Sequence, residues 1–241
     1  MRGLVPPSGS RLDDTAVTEA YRPPDGRFVR ANFVHALDGA SSVDGVSAGL
    51  GSDADQRVFT VLRAWCDAVL VGHGTAAAEG YGPLEADSDV GRLRTALGRP
   101  ATAPVVVVSK RASLSPGDRL AVPGTWLVTC GSSDADRRAA LTDAGVRVLV
   151  SGDDDVDLAA ALDALAAEGI ESVLCEGGPS LFRDAVAAGL VDELCLTTAP
   201  LLTGGAPGVL GGNALPAPVQ ARLVQLLEED GVLVARYALT R

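Results

Sequence analysis

Two stretches of this sequence join an apolar run to a glycine turn and the start of a helix. They are Val69-Leu70-Val71-Gly72-His73-Gly74-Thr75 and Val173-Leu174-Cys175-Glu176-Gly177-Gly178-Pro179-Ser180-Leu181. Glycine lets a backbone approach a phosphate closely, and the helix that follows offers unpaired N–H groups and a positive dipole end. Neither turn has the spacing of the usual dinucleotide fingerprint or of a Walker loop. Each alone reads equally as a tight connection; two in one chain point toward a dinucleotide. A third stretch, Ser109-Lys110-Arg111, places a hydroxyl and two cations at the end of a valine run. Such groups can hold the 2′-phosphate that separates NADPH from NADH; the alternative is a solvated turn. The fourth is Asn32-Phe33-Val34-His35-Ala36-Leu37-Asp38-Gly39, a strand entering an Asp-Gly turn. The small-residue loop that follows, to Gly51, has few apolar anchors and suits a lid over a ligand. Asp38 is a candidate catalytic carboxylate, or a residue that ties its turn by hydrogen bonds. His35 faces a ligand or packs, and its alternation favours packing or backbone contact.

These stretches need elements to position them. Arg27 to His35 alternates as a strand. Ser52 reads as an N-cap, with Asp53 and Asp55 favouring the helix dipole. Val58, Val61, Leu62 and Trp65 carry that helix at helical spacing. Strands are expected over Asp67–Val71, Pro104–Val108, Thr125–Thr129, Val146–Val150, Ile170–Cys175 and Leu194–Thr198. A short helix is expected from Thr75, and further helices over Asp134–Asp143, Asp155–Glu168 (closed by Gly169) and Pro179–Ala188. A Gly/Pro-rich loop spans Pro200–Pro218. Val219–Glu228 and Val232–Leu239 then form a hairpin about Asp230-Gly231. Strand–helix alternation ending in a hairpin predicts an α/β domain, mostly parallel, with antiparallel strands at its C-terminal edge. Residues 1–26, rich in Pro, Gly, Ser and charge, read as an N-terminal arm ahead of a domain spanning 27–241.

Composition narrows the function classes. The chain has 241 residues, 47% of them apolar, and a formal net charge of −11. That balance, with only 4% aromatic residues, argues against nucleic-acid binding, which needs a basic face or stacking platforms. No apolar run approaches the roughly 20 residues of a membrane span, and the N-terminus lacks a signal-peptide core, so a cytoplasmic protein is expected. Lys110 is the only lysine, so it alone could form a Schiff base. Cys66, Cys130, Cys175 and Cys195 form no CxxC pair and sit in or beside apolar segments, as buried reduced thiols do. With His35 and His73 the only histidines, no metal site is expected.

Read in order, ALDG, the small-residue loop, SDADQRVFTVLRA, DAVLVGHGT, VVVVS, LCEGGPSL and LVDELCLTTAPLLTGG resemble the reductase domain of the riboflavin-biosynthesis protein RibD. The resemblance runs from about Arg27 to the C-terminus. It implies a dihydrofolate-reductase-like, three-layer αβα fold and NADPH-dependent reduction of the ribosyl group of a phosphoribosylamino-pyrimidine. Carried over by position, it implies that Val34, His35 and Ala36 line the nicotinamide, with Gly49 near it in place of a family tryptophan. Gly72, Gly74, Thr75 and Glu79 would sit at the pyrophosphate and its ribose. Ser109, Lys110 and Arg111 would lie by the 2′-phosphate, and the segment from Gly177 through Gly178, Pro179, Ser180 and Leu181 to Asp184 would cradle the pyrophosphate. Ser47 and Arg63 would contact the substrate, as would Glu176. For Arg63 the other reading is a surface salt bridge.

The departures fall on the substrate side. Asn32 stands where the family commonly has lysine, ALDG replaces SLDG, and Tyr81, Pro83 and Ala86 stand where an arginine is often found. No preceding deaminase domain is expected. The expected reaction is hydride transfer to C1′ of 5-amino-6-(5-phosphoribosylamino)uracil or a close relative, with Asp38 and Glu176 the candidate general acids and solvent the alternative. Two other readings remain open: reduction of dihydrofolate or another pterin, and an NADPH-binding or regulatory protein with weak turnover. A homodimer is implied by the resemblance.

Overall fold

A computed structural model describes residues 1–205, 207–212 and 214–240. Ala206 and Asn213, within the expected loop 200–218, and the C-terminal Arg241 lie outside it. Among the described residues, eleven strands form one sheet in the order β2-β1-β10-β11-β9-β3-β8-β4-β5-β6-β7. The parallel block contains β3 (Phe28–Ala36), β4 (Ala68–Gly72), β5 (Val105–Val108), β6 (Thr125–Thr129), β7 (Arg147–Val150), β8 (Ser172–Cys175) and β9 (Glu193–Ala199). Antiparallel pairing continues the sheet through β11 (Val232–Leu239) and β10 (Ala221–Glu229) to β1 (Arg2–Val5) and β2 (Pro7–Arg11).

The valine-rich strands are apolar on both sides because helices cover both faces. On β4, Val69 and Val71 join a core with α1 (Asp14–Ala20), α2 (Asp53–Trp65), α3 (His73–Ala78) and α5 (Ala135–Asp143). Ala68 and Leu70 point the other way, into a core with α6 (Leu158–Ala167) and α7 (Pro179–Ala187). Each fully buried valine or leucine contributes about 1.5–3 kcal/mol. Local signals close the elements as expected. The Ser52 side chain accepts from Asp55 N at the start of α2. Asp230 and Gly231, with φ of 52° and 84°, make the hairpin turn that requires two left-handed residues. Burial pushes the thiols of Cys66, Cys175 and Cys195 up to about 12, and all four cysteines are buried and free. No helix among the described residues is long and apolar enough to cross a membrane.

Three expectations need correction. Residues 1–26 are not a loose arm: β1 pairs with β10 and covers the edge the hairpin would otherwise leave open. Val17 and Tyr21 are completely buried, Trp65 Nε1 donates to Thr18 O at 2.8 Å, and Arg30 Nη1 to Tyr21 O at 2.8 Å. A few apolar anchors suffice to dock a polar segment. Second, α6 begins at Leu158, not Asp155, because Asp157 caps it by accepting from Ala160 N, while Asp155 is drawn to Lys110. Third, α4 (Asp89–Ala96) was not foreseen.

That helix carries Arg94, 2% exposed, whose guanidinium closes the end of α2. Nη1 donates to Arg63 O at 2.9 Å and Cys66 O at 2.6 Å, and Nε to Pro100 O at 2.7 Å. A cation here also opposes the negative end of the α2 dipole. Arg94→Met is expected to lower unfolding stability by about 3 kcal/mol, since buried carbonyls lose a charged donor. A shift in the denaturant midpoint at unchanged slope measures it; no shift would show that these carbonyls find other partners.

Candidate active site

A cleft of about 840 Å³ opens at the carboxyl ends of the central strands, between them, α2 and the loop after β3. Open α/β sheets place ligands at this edge. The two glycine turns meet here because β4 and β8 are parallel neighbours. Gly72 N donates to Gly177 O at 2.7 Å. A Cβ on Gly178 would stand 2.2 Å from Thr75 Oγ1, and one on Gly177, whose φ is +86°, 3.1 Å from the Phe33 ring. These glycines are therefore required first by their own packing. The packing leaves Gly74, Thr75, Gly178 and Pro179 facing the cleft. It also leaves the N-terminus of α7 with no side-chain cap and Pro179 in its first turn, so its backbone donors are not taken by a capping side chain.

The opposite wall is α2. Asp55, Phe59 and Arg63 recur every four residues and all line the cleft. Arg63 makes a two-pronged ion pair with Glu176, Nε–Oε1 2.8 Å and Nη2–Oε2 2.7 Å, with the side chains 17% and 3% exposed. Tyr81 Oη donates to Glu176 Oε2 at 2.6 Å. The guanidinium lies 4.1 Å above the Phe59 ring centre and 5.4 Å from that of Tyr81. Burial opposes the charge on Arg63, but the Glu176 carboxylate outweighs it and raises the pKa. Burial, then the Glu176 charge, pushes the Tyr81 phenol up, which keeps it a hydrogen-bond donor. Each Glu176 oxygen thus already accepts at least one hydrogen bond within the protein, which fixes the carboxylate without exhausting its acceptor capacity.

Of the expected residues, the structure brings Val34, Ser47, Arg63, Gly74, Thr75, Glu79, Glu176, Gly178 and Pro179 to one cleft. Glu79 accepts from Ser47 N at 2.7 Å, tying the lid loop to α3. Asp38 is elsewhere: its exposed carboxylate accepts from Gly204 N at 2.6 Å and Thr203 N at 3.0 Å. These backbone bonds, that of Gly204 foremost, hold its pKa below the usual carboxylate range, the wrong direction for a general acid. The turn-tying reading describes it. His35 bonds Thr198 Oγ1 at 2.9 Å, and burial lowers its pKa. Neither His35 nor the buried Ala36 lines the cleft. Gly49 is packing: a Cβ there would meet Val43 Cβ at 2.9 Å. Gly72 and Gly177 stand behind the cleft surface, and Leu181 is buried while Ser180 is exposed. Ser109 Oγ accepts from Ser113 N at 2.9 Å, and Lys110 pairs with Asp155 at 3.0 Å. Arg111 is exposed beside them.

Of the cleft residues that escaped sequence reasoning, Arg119 and Asp55 bear most on its chemistry. Arg119, from the long connection between β5 and β6, lines the cleft and donates to Gly80 O at 2.9 Å. It brings a cation to the region where Tyr81, Pro83 and Ala86 had left none. Asp55 was read only as a dipole residue; its i, i+4, i+8 spacing with Phe59 and Arg63 was the available signal.

Sheet order, layers and cleft together define an α/β domain whose mostly parallel sheet is covered by helices on both faces. The chain belongs to the RibD C-terminal domain family, whose model matches residues 27–234. It is 32% identical over 180 residues to the 2,5-diamino-6-ribosylamino-4(3H)-pyrimidinone 5′-phosphate reductase of Methanothermobacter thermautotrophicus, covering 74% of this chain and 80% of that one. It is 30% identical to the riboflavin biosynthesis protein RibD of Bacillus amyloliquefaciens over 77% of its own length, and spans about half (49%) of that longer protein. Among solved structures, a pyrimidine reductase-like protein of Corynebacterium diphtheriae superposes with a TM-score of 0.82 at 26% identity, covering 95% of this chain and 100% of that one.

Proposed function

We propose that this chain is an NADPH-dependent reductase of a phosphoribosylamino-pyrimidine, acting at C1′ of the ribosylamine. One observation carries the reading: the uncapped N-terminus of α7 and the Arg63–Glu176 ion pair, which reaches it from α2, line one cleft. The residues fit a dinucleotide. Gly74, Thr75, Gly178 and Pro179 allow close backbone approach to phosphate, and the volume lies in the upper range for ligand pockets. When bound, NADPH supplies the hydride. The chain's own residues align and enclose. The Glu79–Ser47 contact holds the lid loop over the cleft and limits water. Glu176, fixed by Arg63 and Tyr81, orients sugar hydroxyls. Arg119 is the cleft arginine without a carboxylate partner among the described residues, so it suits the 5′-phosphate better than Arg63. The test is cofactor oxidation with the diaminopyrimidinone phosphate, its deaminated uracil counterpart and dihydrofolate. Turnover of neither pyrimidine, with the cofactor bound, would sink this reading.

Arg111, exposed at the carboxyl end of β5, is the residue proposed to meet the 2′-phosphate, since Lys110 already has Asp155. Arg111→Ala is expected to raise the KM for NADPH about tenfold, the worth of one charge-assisted hydrogen bond, and to leave the KM for NADH unchanged. Equal effects on both cofactors would place the 2′-phosphate elsewhere.

A further inference from the structure

Asp55 stands in the first turn of α2, yet its side chain lines the cleft. It lies beside the side chain of Thr197 on β9, which favours its carboxylate form and is itself 1% exposed. The other cleft carboxylates are differently placed. Glu176 is taken by Arg63 and Tyr81, Glu79 by the Ser47 N–H, and Asp53 is exposed. Asp55 makes no ion pair among the described residues; burial pushes its carboxyl above the usual range, and the neighbouring Thr197 side chain opposes that shift by favouring the carboxylate. Eight residues of helix separate it from Arg63, about 12 Å. The α2 wall thus presents a carboxylate at one end and Arg63 toward the other, with Arg119 also lining the cleft, a layout that suits a base joined through ribose to a phosphate.

A carboxylate offers two acceptors side by side and no donor. It complements a ring edge with two adjacent donors, and it repels an edge that sets a carbonyl oxygen beside a single donor. The two substrates under consideration differ at this very edge. The 2-amino-4-oxo ring presents N3–H and a 2-amino group; the uracil ring presents N3–H and the 2-oxo oxygen.

Resting on the pyrimidine-reductase reading, we propose that Asp55, beside Thr197, selects the ring. It binds the N3–H and 2-amino donors of a 2-amino-4-oxopyrimidine and disfavours the 2-oxo counterpart. The reductase then acts while the 2-amino group is still present, and a hydrolytic deamination of the ring must follow it in the reaction sequence rather than supply its substrate.

The test compares wild type with Asp55→Asn on 2,5-diamino-6-ribosylamino-4(3H)-pyrimidinone 5′-phosphate and on 5-amino-6-(5-phosphoribosylamino)uracil. Both kcat/KM and, with NADP⁺ present, dissociation constants are measured. Wild type is expected to favour the diamino compound by roughly 10- to 100-fold, the scale of one charge-assisted hydrogen bond. Asparagine presents one acceptor and one donor, so the variant is expected to lose on the diamino compound and gain on the uracil. A looser fold would produce no such gain. Thr197→Val, close in shape, is expected to weaken the wild-type preference without reversing it. Equal wild-type preference, or an asparagine variant that loses equally on both compounds, overturns the assignment. If wild type turns over neither compound yet binds the diamino one more tightly, and Asp55→Asn reverses that order, the hydride-transfer reading falls and the ring selection stands. If it binds both alike, the ring selection falls whatever the turnover.

Discussion

Arg63→Ala is expected to lower kcat/KM on the order of 100-fold, as small misplacements of positioning groups do. It is also expected to cost about 3–5 kcal/mol of stability, the usual penalty for removing one partner of a buried ion pair. The substitution leaves Glu176, whose side chain is 3% exposed, as a buried carboxylate with Tyr81 as its remaining hydrogen-bond donor. It also strips the guanidinium from the faces of Phe59 and Tyr81. Arg63→Lys keeps the charge but not the fork, so it should recover much of the stability and little of the activity. The double substitution Arg63→Met with Glu176→Met removes both charges and should be more stable than Arg63→Ala, while remaining inactive. Thermal unfolding and steady-state kinetics on the same samples separate the two effects. Full activity in Arg63→Ala would show that the pair is structural only.

Gly178→Ala is expected to be nearly as damaging, for a different reason. The new methyl group would stand 2.2 Å from Thr75 Oγ1, and overpacking at a tight contact costs about 1–3 kcal/mol. Thr75 is branched at Cβ, so rotating its side chain tends to exchange one clash for another. Because Thr75, Gly178 and Pro179 all face the cleft, relieving the clash must move the surface proposed to meet the pyrophosphate. NADPH affinity is therefore expected to fall about 10- to 100-fold. Thr75→Ala removes the colliding oxygen, and the double substitution should bind NADPH better than Gly178→Ala alone. That non-additivity is the signature of direct contact. Strictly additive effects, measured by fluorescence titration of the cofactor, would mean that the two turns do not touch in solution.

Much of the fold was legible in the residue order because its causes are local. A cap acts within three or four residues, as Ser52 and Asp134 do at α2 and α5. The Asp230-Gly231 turn needs only its own backbone angles, and the valine runs of β4 and β5 need only burial on both faces. The first 26 residues misled because composition was weighed without their few anchors. Val17 and Tyr21 bury fully only once α2 and the antiparallel strands exist to receive them. The helix carrying Arg94 passed unseen because a short polar helix has a weak apolar period, and its stabilising contacts lie on another helix.

The site divides along the same line. The residue order by itself determined that two glycine turns follow two buried strands, that a small-residue loop follows the first strand of the parallel block, and that an arginine sits on the first long helix. Tertiary structure alone decided what these groups touch. Glu176 and Arg63 are 113 positions apart and meet because the turn after β8 and the helix α2 border one cleft. Thr75 and Gly178 meet because β4 and β8 are parallel neighbours. Asp38 turned away from the cleft because the backbone of residues 203–204 returned to claim it. Asp55 turned toward the cleft because β9 lies beside β3 and brings Thr197 under the helix. Helical and turn preferences act over a few residues, whereas crossover connections in a parallel sheet join residues scores of positions apart, so the partners of a charged group follow from strand order rather than from sequence neighbours.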